Sequence, residues 1–135
     1  MASCRILLVE DHVETAAVLS RLLKISGHDV SAAETARGAL DLAGQRAFDL
    51  LLIDLGLPDL DGRALLPRLR EVSVAPAIAL TGYDIEADGD SCTAAGFVGR
   101  LVKPISFESL LASVNDLWPP QLPPDLPEAR PAACP

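Results

Sequence analysis

The feature that most constrains the fold is a run of four apolar residues that ends in an acid, Leu50-Leu51-Leu52-Ile53-Asp54. A loop rich in Gly, Pro and Asp follows it directly. A short apolar run bounded by such turn residues is typical of a strand that is buried on both faces in a parallel sheet. In open α/β sheets the ligand crevice lies beyond the carboxyl ends of the strands. We therefore predict that Asp54 lies at the functional edge of such a sheet.

Three other predicted strands also end in polar residues. These strands and the residues that follow them are 5–9 with Glu10 and Asp11, 75–80 with Thr81, and 98–102 with Lys103. Taken alone, Asp54 could cap a turn, Lys103 could be a solvated lysine and Thr81 could be an ordinary strand residue. If the strands are parallel and adjacent, however, all five side chains converge at one edge of the sheet. That coincidence favours a functional site.

Predicted strands and helices alternate five times along the chain. The helices are expected from about residues 12, 35, 63, 84 and 106, and the second strand at 28–33. The apolar face of the first helix is expected to contain Thr15, Val18, Leu19, Leu22 and Leu23. This alternation predicts an α/β fold, a doubly wound five-stranded parallel sheet with helices on both faces. The flavodoxin-like strand order 2-1-3-4-5 would place Glu10 and Asp11 next to Asp54.

Length and composition predict one domain followed by a tail. The chain has 135 residues, of which 50% are hydrophobic, and this is enough for one proper core. We assign residues 1–118 to the domain. Residues 119–135 contain seven of the 11 prolines, a composition that favours extended and solvated chain. We expect this Pro-rich tail to be disordered.

The charge and the apolar pattern exclude several classes of partner. The net charge is −8 with no basic run, so most of the surface would repel a phosphate backbone. No stretch approaches the roughly 20 apolar residues of a membrane span, and from residues 1–5 we expect no charged and then apolar leader before the first strand. The three cysteines are far apart and odd in number, which fits reduced thiols better than disulfides or a zinc site. We expect a cytoplasmic protein with no nucleic-acid or membrane partner.

The residues at the predicted edge suit metal and phosphoryl chemistry. Glu10, Asp11 and Asp54 would repel one another unless they took up protons or shared a cation. Oxygen ligands point to Mg²⁺ or Mn²⁺, which phosphate oxygens commonly complete. A carboxylate can also act as a nucleophile toward phosphorus. Lys103 would then neutralise phosphoryl charge, and the Thr81 hydroxyl would donate a hydrogen bond to a phosphoryl oxygen.

Four ordered motifs at these positions carry a resemblance to a known family. They are Leu8-Val9-Glu10-Asp11, the segment Asp54-Leu-Gly-Leu-Pro-Asp-Leu-Asp-Gly62, Leu80-Thr81-Gly82 and Leu101-Val102-Lys103-Pro104. From about Arg5 to Leu117 the chain resembles the receiver domains of two-component response regulators. The resemblance implies that Asp54 accepts a phosphoryl group from a histidine kinase or a histidine phosphotransfer protein.

The same resemblance implies a ligand set and a backbone feature. Mg²⁺ would be bound by Asp11, Asp54 and the Gly56 carbonyl, and Glu10 would assist through water. The Lys103-Pro104 peptide bond would be cis. The segments 79–83 and 95–104 look most like receivers associated with hybrid histidine kinases. A receiver catalyses only its own phosphorylation and dephosphorylation, so we do not expect an enzyme with a separate substrate.

Two alternatives stay open at this point. One is a phosphohydrolase with an aspartyl nucleophile, which would normally carry a second acid where this chain has Gly56. The other is a receiver-like structural module that is not phosphorylated. Such a module would be expected to have lost the nucleophile, the acid pair or the lysine, and all of these are present.

Two positions differ from what the family leads us to expect. Gly56 offers no side chain to position a water and Tyr83 could shield the phosphoryl group, so we expect slow self-hydrolysis. Arg100 stands three residues before Lys103, where the family has an aromatic switch residue. We expect Arg100 to stay on the exposed surface of the fourth helix, last strand and last helix, where a downstream protein could bind. There it could pair with Asp84, Glu86 or Asp88.

Overall fold

The structure, a computed structural model, describes residues 4–82 and 95–117. The five strands are β1 (Arg5–Val9), β2 (Asp29–Ala33), β3 (Leu50–Asp54), β4 (Ala77–Thr81) and β5 (Gly99–Val102). The helices of the described residues are α1 (Val13–Ile25), α2 (Ala36–Gln45), α3 (Gly62–Leu69) and α4 (Phe107–Leu117). All strand pairs are parallel and the order is β2-β1-β3-β4-β5. The predicted flavodoxin-like fold is therefore confirmed.

The sheet carries an apolar layer on each face. Helices α2 and α3 pack on one face, where Leu51 and Ile53 of β3 join the core. Helices α1 and α4 pack on the other face, together with Leu50 and Leu52. Every residue of β3 is buried. Because successive side chains of a strand point to opposite faces, a strand covered on both sides must be apolar at every position until it reaches the edge.

Helix α1 ends as predicted but packs through a narrower stripe. Gly27 has a φ of 97° just after the helix, in the left-handed region that favours glycine. Ala16, Leu19 and Leu23 are buried, whereas Val18 is 57% exposed. The prediction that Val18 packs on the sheet is wrong. Leu19 faces the sheet, and Val18 lies about 100° around the helix from it, on the side exposed to solvent.

The N-terminus of α2 is capped from two directions. The Thr35 hydroxyl accepts a hydrogen bond from the Gly38 N–H at 3.0 Å, which confirms the predicted cap. The Asp59 carboxylate, from the loop after β3, accepts from the N–H groups of Ala36 at 2.9 Å and Arg37 at 3.1 Å. The hydrogen bond from Ala36 lowers the pKa of Asp59. The loop that follows Asp54 is therefore tied to α2 as well as to the sheet.

Several predictions concern residues outside the described part of the chain. Residues 84–94 of the predicted fourth helix, Tyr83 and the Pro-rich tail 119–135 all lie there. The assignment of residues 1–118 to the domain and of 119–135 to a tail stays a prediction. Among the helices of residues 4–82 and 95–117, none is both long enough and apolar enough to cross a bilayer.

Substitution of Gly62 by alanine is expected to destabilise the fold. A Cβ at Gly62 would lie 2.6 Å from the Asp54 carbonyl oxygen and 2.9 Å from Leu55 Cα, so the backbone must shift. We expect a loss of about 2 kcal/mol in the free energy of unfolding. In Gly44→Ala, a control in α2, the added Cβ meets nothing within 4 Å, and a gain of up to about 1 kcal/mol is expected. Urea unfolding measures both, and equal stability of the two variants would contradict this account of Gly62.

Candidate functional site

Parallel pairing brings the predicted residues to one edge of the sheet. Val9 of β1 pairs with Ile53 of β3, so Glu10 and Asp54, the next residues of each strand, are neighbours. Thr81 ends β4, and its carbonyl accepts a hydrogen bond from the Lys103 N–H at 2.7 Å. The predicted convergence of strand ends is thus present in the fold. The Lys103-Pro104 peptide bond is cis, as the resemblance implied.

Lys103 lies between two carboxylates. Its Nζ is 2.9 Å from Glu10 Oε1, 3.1 Å from Glu10 Oε2 and 3.3 Å from Asp54 Oδ2. Only 22% of the Lys103 side chain is exposed. Burial by itself would lower the pKa of Lys103, but the hydrogen bond to Glu10 and the charge of Asp54 outweigh it and raise the pKa. Lys103 is therefore a fixed positive charge at the sheet edge.

Glu10 is the most deeply buried acid of the group, with 0% of its surface exposed. Its Oε2 accepts hydrogen bonds from Lys103 Nζ at 3.1 Å and from the His12 N–H at 3.2 Å. Burial would raise the pKa of Glu10, yet the hydrogen bonds from Lys103 and His12 lower it below its ordinary value. Glu10 is therefore held as a carboxylate despite its burial.

The remaining predicted residues surround the Asp54 carboxylate. Asp54 is buried, and its Oδ1 accepts a hydrogen bond from the Gly56 N–H at 3.1 Å. Thr81 is 1% exposed. A cavity of about 290 Å³ opens at this point and is lined by His12, Asp54, Leu55, Gly56, Thr81 and Gly82. Asp54 therefore lines an open space that is large enough for a small group.

His12 is part of the site, and sequence reasoning missed it. Its Nδ1 is 3.1 Å from Glu10 Oε2 and 3.5 Å from Asp11 Oδ1. One ligand atom from each of Glu10, Asp11, His12 and Asp54 can be chosen so that all four lie within 4.8 Å of one another. The position of His12, immediately after the acid pair, was the available signal. By itself that position indicates only the start of the first helix.

The arrangement suits a divalent cation. Three carboxylates face the single ammonium of Lys103, so negative charge remains in excess. Asp11 Oδ1 is buried and has no hydrogen-bond partner within the described residues. A buried carboxylate oxygen without a donor is costly, and a metal ion would satisfy it. The oxygen donors are those that hard cations prefer.

Arg100 does not lie as freely on the surface as we expected. It is half-buried on β5, beside Ala79 of β4. Its Nε is shielded from solvent and finds no hydrogen bond in the part of the chain that the structure describes. The prediction that Arg100 lies on the exposed surface is therefore met only in part, since the residue is partly exposed. The acids proposed as its partners, Asp84, Glu86 and Asp88, lie outside the described residues.

Comparisons with known proteins agree with this geometry. Residues 6–115 match the family model described as "Response regulator receiver domain". The transcriptional regulatory protein ZraR of Escherichia coli O157:H7 is 31% identical over 111 residues, which cover 82% of this chain and 25% of that protein. The virulence sensor protein BvgS of Bordetella bronchiseptica is 33% identical over 122 residues, which cover 84% of this chain and 10% of that protein. The chain thus spans a quarter or less of these relatives.

A solved structure shows the same fold. It is a response regulator protein from Burkholderia pseudomallei with a phosphorylated aspartic acid, calcium ion and citrate. The sequence identity is 32% and the TM-score is 0.76, over 82% of this chain and 65% of that chain.

Removal of the Lys103 ammonium is expected to destabilise the fold, because the carboxylates of the site then repel one another without a counter-charge. In Lys103→Met, the buried Glu10 loses its cation. Because the ion pair is partly exposed, its loss should lower the free energy of unfolding by about 2 kcal/mol. Lys24→Met, at an exposed position of α1, serves as the control and should change stability by less than about 0.5 kcal/mol. Chemical denaturation in a chelator measures both, and a Lys103 variant as stable as the control would contradict the predicted repulsion.

Proposed function

The chain belongs to the response regulator receiver family, the phosphoacceptor domains of two-component signalling systems, and on this basis we propose that Asp54 is its phosphoacceptor. The observation that carries the proposal is the position of the Lys103 ammonium, 3.3 Å from Asp54 Oδ2. Asp54 also lines the cavity that Thr81 and Gly56 share. The Asp54 carboxylate therefore has a cation beside it and lines the same small cavity as Thr81.

The proposed step is transfer of a phosphoryl group from a phosphohistidine. A bond forms between an Asp54 carboxylate oxygen and phosphorus, while the phosphorus–nitrogen bond breaks and its electron pair leaves with the ring nitrogen. The product is an acyl phosphate on Asp54. Lys103 stabilises the added negative charge, and the Thr81 hydroxyl donates to a phosphoryl oxygen.

We propose that this site holds Mg²⁺ or Mn²⁺. The side chains of Glu10, Asp11 and Asp54 would hold the ion together with the Gly56 carbonyl, Glu10 acting through water. A bound divalent ion supplies charge neutralisation at the phosphoryl oxygens. The excess of carboxylates over cations and the unpartnered Asp11 Oδ1 support this assignment.

The proposed phosphodonor is a histidine kinase or a histidine phosphotransfer protein, met in the cytoplasm. A groove of about 560 Å³ beside the site offers a surface for it. Val18 and Leu19 of α1 line one side of the groove, and Lys103 and Ile105 line the other. The exposure of Val18 is consistent with such a contact. The relative BvgS is named a sensor protein, which supports a phosphorelay that involves a hybrid kinase.

The output and the lifetime of the signal are part of the same proposal. Signalling would proceed through protein contacts on the last strand, the last helix and the predicted fourth helix, most of which lies outside the described residues, with no nucleic-acid partner. Slow self-hydrolysis stays a prediction: a Cβ at Gly56 would lie 3.9 Å from Asp54 Oδ1, so a longer side chain there would reach the phosphoryl group. We propose no separate substrate, and no observation favours the phosphohydrolase or the unphosphorylated module.

Phosphorylation is tested with acetyl phosphate. Intact-mass spectrometry after incubation with acetyl phosphate and Mg²⁺ should show a gain of one phosphoryl group, and Asp54→Asn should abolish it. The control Asp41→Asn changes an exposed acid on α2 and should gain mass as the unaltered protein does. No mass gain in the unaltered protein, or a full gain in Asp54→Asn, would refute the assignment.

Metal binding is tested through stability. A ligand that binds only the folded state stabilises it, so the melting temperature should rise with millimolar Mg²⁺. Asp54→Asn removes one of three clustered negative charges while Glu10 keeps its contact with Lys103, so the metal-free variant should melt no lower than the unaltered protein. Its Mg²⁺-dependent rise should be smaller. A melting temperature of the unaltered protein that does not change with Mg²⁺ would argue against this site.

A further inference from the structure

We propose that His12 is a nitrogen ligand of this site and that it adapts the site to transition-metal dications that bind imidazole, such as Zn²⁺. The inference rests on the proposed metal site at Glu10, Asp11 and Asp54. It concerns a residue to which the proposed phosphoryl transfer gives no role. Carboxylates and water suit Mg²⁺, whereas imidazole suits Zn²⁺ and its neighbours in the first transition series.

The distances around His12 fit a shared ion. In a tetrahedral zinc site with bonds of about 2.1 Å, the ligand atoms lie about 3.4 Å apart. His12 Nδ1 lies 3.1 Å from Glu10 Oε2 and 3.5 Å from Asp11 Oδ1. The four candidate ligand atoms, with Asp54 included, span no more than 4.8 Å. Small side-chain movements would therefore close the set around one cation.

The hydrogen bonds of the site leave the imidazole available. Glu10 Oε2 accepts from Lys103 Nζ and from the His12 backbone N–H as well as contacting the ring. If the ring turns to a metal ion, Glu10 still has two donors. The His12 side chain is 69% exposed, so its rotation displaces no packed neighbour. It also lines the cavity above Asp54.

Asp11 provides a second reason to expect an ion at the same place. Its Oδ1 is buried and lacks a hydrogen-bond donor within the described residues, and the ring of His12 is 3.5 Å away. A cation between the two would satisfy the buried anionic oxygen of Asp11, and Nδ1 would bind the cation after releasing the proton that it donates to Glu10. The neighbouring carboxylates already supply the negative charge that a dication requires.

This ligand set has a consequence for the proposed phosphoryl transfer. Zinc sites with four protein ligands are closed, whereas sites that act on a substrate keep an open position. A Zn²⁺ ion held by His12 and the three carboxylates would therefore engage Asp54 without leaving a position for a phosphoryl oxygen. We expect Zn²⁺ to compete with Mg²⁺ and to keep Asp54 unphosphorylated.

The sequence provides a matched control, since it contains only two histidines. The Nδ1 of His28 accepts a hydrogen bond from the Cys4 N–H at 3.1 Å, at the other end of β1. Side-chain ¹H–¹⁵N spectra therefore contain only two imidazole rings, and His12→Gln and His28→Gln assign them. Titration of the full chain with Zn²⁺ should shift the ring nitrogens of His12 and leave those of His28 unmoved. Mg²⁺ should move neither set by a comparable amount.

Calorimetry measures the size of the effect. His12→Gln should weaken Zn²⁺ binding by about tenfold or more, the scale on which changes around metal ligands act. It should weaken Mg²⁺ binding much less, and His28→Gln should bind both ions as the unaltered protein does. Zn²⁺ should also slow acetyl phosphate labelling of Asp54 in the presence of Mg²⁺, and His12→Gln should relieve that inhibition.

The outcomes separate this inference from the proposed function. An unshifted His12 ring at saturating Zn²⁺, or equal Zn²⁺ affinity in His12→Gln and the unaltered protein, would overturn the role of His12. Labelling of Asp54 with Mg²⁺ alone does not depend on that result. Conversely, a Zn²⁺-shifted His12 in a protein that acetyl phosphate never labels would leave this inference standing and refute the phosphoacceptor.

Discussion

Electrostatic repulsion at one edge of the sheet is the constraint on which the site depends. A parallel sheet delivers the carboxyl ends of all its strands to the same edge, and here β1 and β3 end beside each other in acids. Among the described residues, the ammonium of Lys103 opposes that charge, and Lys103 follows β5, the last strand of the sheet. The fold must therefore be complete before Glu10 and Asp54 have their counter-charge.

The loop after β3 links this edge to the helices. Gly56 donates its N–H to the Asp54 carboxylate, and Gly62 lies so close to the Asp54 carbonyl that a Cβ there would force the backbone to shift. Asp59, between them, caps α2. Within eight residues the chain thus orients the acid, packs beneath it and fixes a neighbouring helix. This explains why so short a loop combines glycine, proline and acids.

The sequence was sufficient for the strand order and for most of the site, because both follow from rules of periodicity and strand ends. The apolar run before Asp54 and the Thr35 cap are local signals of that kind. Val18 was placed on the wrong face because α1 uses small Ala16 for packing, and hydrophobicity alone does not distinguish a packed valine from an exposed one. The partial burial of Arg100 and the contacts of His12 depend on distances between elements, which no local pattern contains.

The capping of α2 by Asp59 couples the conformation of the Asp54 loop to the stability of that helix. Two backbone N–H groups of α2 are bonded to a carboxylate carried by the Asp54 loop. Any change of that loop which moves Asp59 breaks these two hydrogen bonds, and a protein that displaced α2 would disturb the loop in turn. Coupling free energies of this kind are reciprocal. A change at Asp54 that moves this loop would therefore alter the position or stability of α2, and binding of a partner to α2 would in turn change the conformation of the loop.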